Sequence, residues 1–282
     1  AVLGRFETGY LPAILGLTLL NYGVRFFKWH AYLRVIGVRG LSLRRSALIF
    51  FSGFSMVMTP GKVGEYLKCY WLRQATGTPL SVSLPVVFAE RAIDGFAMFV
   101  LAVGGLVAYG YGWGTVGGII VAIFGALALG QHEPLVHRIF ATLRRVPLIT
   151  GRVAHLERLY ESARRLFAWR TLAWAVPLGA LSWGAEGVAF YCVLRGLGVA
   201  GDLNLALEAI FIFALSSIFG ALSMLPGGLA VAEGSITGLL QATGTVGDPT
   251  TAAAATLLIR FATLWFGVLI GIVVLFATHG RL

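Results

Sequence analysis

Two glutamates and two arginines recur at similar spacing in the two halves of the chain. Glu65 precedes Arg91 by 26 residues, and Glu233 precedes Arg260 by 27. Each arginine lies roughly ten residues into a long apolar stretch, where an unpaired cation costs at least ~2.5–3.5 kcal/mol. Each arginine therefore needs an anionic partner. The carboxylates available within the apolar part of the chain are Glu65, Glu90, Asp94, Glu186 and Glu233.

Two interpretations of these charges stay open. In the first, Glu65–Arg91 and Glu233–Arg260 are structural ion pairs that hold neighbouring helices together. In the second, the arginines bind a lipid phosphate, while the carboxylates orient them, contact a cationic headgroup or carry a coupling proton. Glu90 and Asp94 are four residues apart, so we expect them to share one helix face. The two interpretations do not exclude each other.

A Pro-Gly pair precedes each of the two glutamates, at 60–61 and 226–227. Proline suits the first turn of a helix because its missing amide hydrogen costs nothing there. A helix that begins inside the protein exposes unpaired amides and a positive dipole end, which is a favourable site for phosphate. Glycines near each break would let the backbone approach such a ligand closely; they are Gly61, Gly64, Gly227 and Gly228.

The elements that must position these residues are membrane-spanning helices. The chain has 282 residues, of which 58% are hydrophobic and 12% charged, about half the usual charged share of roughly 25%. A water-soluble fold could not bury that much apolar surface. The composition therefore predicts an all-α polytopic membrane protein with about five long spans. We place the spans at 10–33, 83–110, 115–131, 171–196 and 250–278.

Two further apolar stretches, 45–58 and 205–224, run directly into the Pro-Gly pairs. The first covers only about 20 Å as a helix, too little to cross a bilayer. We expect both stretches to turn back as re-entrant helical hairpins, the alternative being a kinked continuous helix. The excess of Lys and Arg, a net charge of +10, is concentrated after the first span and over 132–170. It places those segments in the cytoplasm and is not the pattern of a nucleic-acid binder.

The two halves resemble each other in inverted orientation. LRVIGV at 33–38 matches LRGLGV at 194–199, and this register aligns Arg25 with Glu186. With the predicted sidedness, the hairpins enter from opposite faces, as in the inverted repeats of secondary transporters. The predicted units are a first repeat with a connector span (1–131), a cytoplasmic amphipathic segment (132–170) and a second, inverted repeat (171–282).

Several residue types carry weaker predictions. Lys62 and Lys68 lie near the predicted cytoplasmic mouth, where they could attract anionic headgroups or extend to the interface. Trp29, near the end of the first span, is expected in the interfacial aromatic belt. The five histidines and two cysteines form no metal-ligand spacing, so neither a metal nor a cofactor is predicted. No phosphate-binding loop for ATP occurs in the sequence, so any transport would be passive or ion-coupled.

The strings PGKVGE at 60–65, VFAERAID at 87–94 and LPGG at 225–228 with Glu233 resemble the lysylphosphatidylglycerol synthase transmembrane region, also called the flippase-like domain family. RFFKW at 25–29 is similar to a basic-Trp signature of the same family. The resemblance covers essentially the whole chain. It implies a multi-pass protein of the cell inner membrane that moves a phospholipid or other polar-headgroup lipid between leaflets. It does not imply lipid synthesis, because 132–170 is too short for a transferase domain.

Two other functions stay open. The first is a membrane-embedded lipid-modifying transferase with Glu65 or Asp94 as base, although the sequence shows no paired acidic motif for a divalent metal. The second is an accessory subunit of a lipid-linked glycosyltransferase. The partners expected are a membrane lipid, a lipid-synthesising enzyme and, because the glycines permit close helix packing, a second copy of the chain.

Overall fold

The computed structural model of the protein describes residues 3–59, 64–108, 138 and 150–277. These residues form helices and no β-strand. In the first half the helices are α1 (Leu11–Val35), α2 (Leu43–Ser52), α3 (Leu67–Thr76) and α4 (Leu80–Ala108). They are followed by α5 (Thr150–Leu166), α6 (Trp169–Gly196), α7 (Leu203–Leu222), α8 (Val231–Ala242), α9 (Pro249–Arg260) and α10 (Phe266–Ala277).

Three of the described helices are long and apolar enough to cross a membrane: α6, α7 and the continuous unit formed by α9 and α10. Helices α1 and α4, with 25 and 29 residues, measure about 37 Å and 43 Å and also exceed the roughly 30 Å of a bilayer's hydrocarbon core. The predicted all-α membrane fold is confirmed. The span expected at 115–131 lies outside the described residues.

The corner that follows α1 has the same backbone as the corner that follows α6. The amide of Val38 donates to the carbonyl of Leu33 at 2.9 Å, and the amide of Val199 donates to the carbonyl of Leu194 at 3.1 Å. Gly37 and Gly198 occupy the left-handed region, with φ of +90° and +87°, as this type of helix cap requires. The matching six-residue strings therefore form the same structure twice.

Helices α1 and α6 cross at a pair of residues that are equivalent in this register. The Asn21 side chain donates to the Ser182 carbonyl at 2.9 Å, and the Ser182 hydroxyl donates back to the Asn21 carbonyl at 3.2 Å. Away from the crossing, the backbone amide of Glu7, before α1, donates to the carbonyl of Gly196 at the end of α6, so the helices run antiparallel. A reciprocal contact between equivalent residues marks a pseudo-two-fold axis. Because this axis is perpendicular to antiparallel spans, the two halves are inverted copies.

The first hairpin is built from α2, the 3₁₀ turn Gly53–Met56 and α3. Together, α2 and the turn extend about 21 Å, which is too short for a crossing. The chain then turns back, because the Lys68 side chain of α3 lies against Gly53, and Gly64 lies against Met56. The predicted re-entrant hairpin is therefore present, and the continuous kinked helix is excluded for the described residues of this segment.

The second hairpin also turns back, and its first arm has the length expected from the apolar stretch 205–224. Helix α7 has 20 residues, about 30 Å, which is enough for a full crossing. Its partner α8 runs back along it, since Ala232 lies against Gly220 and Thr245 donates to the Glu208 carboxylate. The tip of this hairpin nevertheless lies at the depth of Arg260, because the Gly227 carbonyl accepts a hydrogen bond from that side chain at 2.7 Å. Helix α7 ends at Leu222, and the non-helical residues 223–225 lead into the 3₁₀ turn that begins at Pro226.

Helix α5 is the described part of the predicted cytoplasmic segment, most of whose remainder lies outside the described residues. It packs against α4, and the ring of Phe167 just after it contacts the ring of Phe88 at 6.1 Å between centroids. Val153 and Leu166 are its buried apolar residues. Its cytoplasmic location stays a prediction from the arginine distribution.

Candidate functional site

The tips of the two hairpins meet beside the last crossing. A side chain added at Gly227 would contact the Met58 sulfur of the first tip and Leu264 of the last crossing. On the other side of the first tip, Gly271 of α10 lies directly against the Ser55 amide. The hairpins of the two inverted halves therefore share one interior region.

A cavity of about 120 Å³ lies in this region. Arg91 and Arg260 are each the twelfth residue of a 29-residue crossing, about 17 Å from its start. Because the two crossings belong to inverted repeats, both arginines lie near the middle of the membrane. The charged residues that line the cavity are Arg25, Glu65, Arg91, Glu186 and Arg260.

Both of the predicted glutamate–arginine ion pairs are present. The Glu65 carboxylate lies 3.4 Å from Nε of Arg91, and the Glu233 carboxylate lies 2.6 Å from Nε of Arg260. The two pairs use the same arginine nitrogen and link a hairpin to the following span in each half. Nη2 of Arg260 also donates to the Gly227 carbonyl at 2.7 Å, so the second tip is fixed to the span at two points.

Behind the cavity, Asp94 joins three cations in the first half. Its Oδ1 accepts a hydrogen bond from Lys28 Nζ at 2.5 Å. Its Oδ2 lies 3.5 Å from Arg91 Nη2 and 3.7 Å from Arg25 Nε. Lys28 and Asp94 are buried, with side chains 1% and 3% exposed. A carboxylate so buried is compatible with the fold only because the neighbouring cations replace water.

The second carboxylate on α4, Glu90, has a separate partner. It lies 2.8 Å from Lys68 Nζ, and the same nitrogen lies 3.9 Å from Glu65. Lys68 therefore connects the helix α4 to the turn that carries Glu65. The Glu90–Lys68 pair is fully enclosed, with both side chains 3% exposed.

Glu186 differs from the other carboxylates of the site. It is 4% exposed and lines the cavity together with Arg25 and Arg260. Across the described ranges it forms no ion pair within 4.0 Å, whereas Glu65, Glu90, Asp94 and Glu233 all do. In the described part of the chain, no group of three His, Cys, Asp or Glu side chains is arranged to hold a metal ion.

The predicted site residues fall into four groups. Those that line the cavity are Arg25, Glu65, Arg91, Glu186, Gly227, Gly228 and Arg260. Asp94 and Glu233 do not line the cavity but pair with the lining arginines Arg91 and Arg260. Glu90 pairs with Lys68 and does not line the cavity either. Gly64 lies inside the first hairpin, where its amide donates to the Thr59 hydroxyl at 2.7 Å. Gly61 and Lys62 lie outside the described residues.

Two predictions about side-chain location are wrong, and they concern two side chains that contact each other. Lys68 is 2% exposed and does not extend to the interface, and Trp29 is fully buried instead of lying in an aromatic belt. The Lys68 ammonium lies 4.8 Å from the centroid of the Trp29 ring, a cation–π contact. Lys68 can be enclosed because it pairs with Glu90, a partner 22 residues away along the chain.

The second half-helix does not begin at its proline as predicted. Pro226–Gly228 form a separate 3₁₀ turn, and α8 starts at Val231. Glu233 lies in the first turn of α8, where a carboxylate offsets the positive end of the helix dipole. At this tip the group directed at Arg260 is therefore the Gly227 carbonyl rather than a set of amides.

Sequence reasoning missed a π-helical turn, Phe261–Trp265, that directly follows Arg260. Such turns leave a carbonyl without its usual partner and are frequent at functional sites. Here the hydroxyl of Tyr22 from the first half donates to the Thr263 carbonyl. Gly267 gives this hydroxyl room, because a Cβ there would lie 2.7 Å from it. The spacing of Gly267 and Gly271, four residues apart, is the one sequence signal that indicates this close packing.

Comparison with known proteins agrees with this architecture. Residues 1–271 match the family model described as the lysylphosphatidylglycerol synthase TM region. The chain is 27% identical over 224 residues to a UPF0104 membrane protein of Methanothermobacter thermautotrophicus, covering 72% of this chain and 65% of that protein. It is 24% identical over 200 residues to a UPF0104 membrane protein of Methanocaldococcus jannaschii, covering 65% of this chain and 77% of that protein. The chain thus spans less than two thirds of the first relative's length. Because the family model matches nearly all of it, the chain belongs to the lysylphosphatidylglycerol synthase transmembrane region family.

Proposed function

We propose that the protein moves a phospholipid or another polar-headgroup lipid between leaflets, as a flippase-like multi-pass protein of the cell inner membrane. The observation that carries this proposal is the charged cavity near mid-membrane, between hairpins from two inverted halves. An intramembrane ionisable group is costly and usually marks a substrate path. Inverted repeats with broken helices at their interface are the architecture of many transporters.

The charges that line the cavity suit a phosphate-bearing headgroup. Guanidinium groups bind phosphate through paired hydrogen bonds, and three arginines line the cavity. Nε and Nη2 of Arg260 are engaged by Glu233 and Gly227, so Nη1 is the nitrogen left to face a ligand among the described residues. Glu186 would receive a cationic part of the headgroup or a coupling proton.

Transport requires that the hairpin tips separate. Ligand pockets for small molecules usually measure roughly 300–1,000 Å³, whereas this cavity measures about 120 Å³. The contact between Met58 and Gly227 therefore closes the region in which a headgroup would move. In an inverted pair, movement of one hairpin opens one side and movement of the other opens the opposite side.

The test is leaflet exchange of a fluorescent phospholipid in liposomes that contain the purified protein. Wild type is expected to exchange the lipid, and Arg91→Ala and Arg260→Ala are each expected to abolish exchange while the protein stays helical. The matched control is Arg73→Ala, which removes an exposed arginine from the first hairpin outside the cavity. Retained exchange in both cavity variants would contradict the proposal, and so would chemical modification of the lipid without exchange.

A charge swap separates phosphate binding from a purely structural ion pair. Glu233→Arg combined with Arg260→Glu keeps opposite charges at the observed 2.6 Å contact but moves the guanidinium from the span to the hairpin. If Arg260 binds phosphate, the swapped protein folds and does not exchange lipid. If the pair only holds the helices together, the swap restores the activity that Arg260→Ala loses.

A further inference from the structure

A second pocket lies at the end of α1, away from the central cavity. It measures about 390 Å³ and is lined by the last turns of α1 and by the loop that leads to α2. Three of its lining residues are basic: His30, Arg34 and Arg39. None of its lining residues also lines the central cavity.

The pocket is positioned at a membrane interface. With 25 residues, α1 is about 37 Å long, so its end extends past a hydrocarbon core of roughly 30 Å. Gly37 and Gly40, with φ of +90° and +81°, turn the chain sharply from α1 toward α2. The loop therefore folds back over the end of the helix at the level of lipid headgroups, with Leu33, Val38 and Leu41 as its apolar lining.

The two arginines of the pocket are available to a ligand. Arg34 and Arg39 are exposed, and neither side chain makes a hydrogen bond or ion pair with another residue in the described ranges. His30 is nearly buried, and its Nδ1 is 2.9 Å from the Ser46 hydroxyl. One side of the imidazole is thus fixed while the ring faces the pocket.

The second repeat provides an internal comparison. Its corner has the same cap, but Arg195, the equivalent of Arg34, donates to the Val199 carbonyl at 2.8 Å and lies against Gly201. In the same register, Tyr191 replaces His30 and Ala200 replaces Arg39. The second corner therefore folds with no basic residue at the positions of His30 and Arg39. Its arginine is bound to its own loop, whereas Arg34 makes no such bond within the described residues, so the cap alone does not account for the basic pocket of the first repeat.

We propose that this pocket binds the phosphate group of an anionic lipid from the leaflet in which α1 ends. Arginine guanidiniums match phosphate oxygens in geometry and charge, and basic pockets between helix ends are suited to anionic headgroups. The acyl chains remain in the bilayer beside the apolar lining. The site is independent of the proposed transport path, because it shares no residue with the central cavity.

The test is native mass spectrometry of the full chain in detergent with added phosphatidylglycerol or phosphatidylcholine of identical acyl chains. Wild type is expected to hold phosphatidylglycerol at least tenfold more tightly than phosphatidylcholine. Arg34→Gln combined with Arg39→Ala is expected to weaken phosphatidylglycerol binding about tenfold. Arg39→Ala is matched to the second repeat, where Ala200 is the native residue, so we expect this variant to fold.

The control is Arg44→Gln, which removes an exposed arginine just beyond the pocket lining and is expected to change binding less than twofold. An equal loss in Arg44→Gln would mean that general surface charge attracts the lipid, and it would overturn the proposal. Unchanged binding in the double variant would do the same. Arginine-dependent binding of inorganic phosphate without phosphatidylglycerol binding would overturn the assignment to a lipid. Arg260→Ala is expected to keep this binding, which separates the pocket from the transport path.

Discussion

Replacement of Asp94 by asparagine is expected to destabilise the protein by about 3 kcal/mol. Asp94 is enclosed and accepts from Lys28 at 2.5 Å, and the Lys28 side chain is 1% exposed. Removing one member of a buried ion pair leaves an uncompensated charge and typically costs about 3–5 kcal/mol. We place this variant at the lower end because the amide oxygen of asparagine still accepts one hydrogen bond.

The partner substitution, Lys28→Met, is expected to cost less, about 2 kcal/mol, which is typical of one lost hydrogen bond to a charged group. The Asp94 carboxylate keeps Arg25 at 3.7 Å and Arg91 at 3.5 Å, so it is not left alone. In the double variant no lysine charge remains to be compensated. We expect its total cost to be about 3 kcal/mol, which corresponds to a coupling of about 2 kcal/mol between the two positions.

Equilibrium unfolding in mixed micelles, followed by helical circular dichroism, measures all three variants on one scale. Arg73→Gln is the control, since an exposed surface substitution changes stability by about 0.5 kcal/mol or less. Additive effects of Asp94→Asn and Lys28→Met would refute the reasoning. A cost below about 1 kcal/mol for Asp94→Asn would refute it as well, because so buried a lysine could not then depend on this carboxylate.

Three further predictions concern single positions. Ala230 has φ of +67° at the start of α8, and Ala230→Gly is expected to raise the unfolding free energy by about 1 kcal/mol in the same assay, because it relieves backbone strain. Gly271→Ala is expected to lower the unfolding free energy by about 1–3 kcal/mol, because the new Cβ would lie 2.2 Å from the Ser55 amide nitrogen. The control is Gly234→Ala, which has open space around it and should stabilise its helix. The Thr251 hydroxyl and the amides of Thr250 and Thr251 donate hydrogen bonds to the Asp248 carboxylate and lower its pKa. The ionised carboxylate therefore stabilises the folded state at pH values above the ordinary aspartate pKa. This stabilisation is lost as the pH falls through the lowered pKa. Asp248→Asn should lack this acid-dependent loss when unfolding is followed from pH 5 down to about pH 2.

The parts of the fold that sequence predicted well depend on local signals. The length of an apolar run limits which stretches can cross the membrane, and a Pro-Gly pair cannot continue a helix, so each first arm ends a few residues before its pair. The ion pairs of Arg91 and Arg260 were also accessible, because a cation in an apolar span requires a nearby carboxylate. The recurrence of Glu65 and Glu233 at similar spacing then limited the choice of partner.

The parts that sequence could not predict depend on contacts between distant elements. Lys28 and Asp94 are 66 residues apart, and nothing local distinguishes Lys28 from a lysine that extends to the interface. The π-helical turn after Arg260 is tied to Tyr22, which belongs to the other half of the chain. Likewise, α8 begins at Val231 because the positive φ of Ala230 interrupts the helix there, although alanine ordinarily favours helical φ.

The most direct measurement of the central claim is phospholipid exchange by the Glu233→Arg, Arg260→Glu protein beside wild type and Arg73→Ala in the same liposomes. We predict that this protein keeps the helical content of wild type, because the ion pair is kept with reversed polarity. We expect it to lose about 1.5–3 kcal/mol of stability, because a glutamate at position 260 cannot donate the hydrogen bond that Arg260 gives to the Gly227 carbonyl. Exchange is expected to fall to the rate of protein-free liposomes, because the phosphate-binding guanidinium no longer lies on the span. Exchange at the wild-type rate by the swapped protein would contradict the proposed phosphate binding.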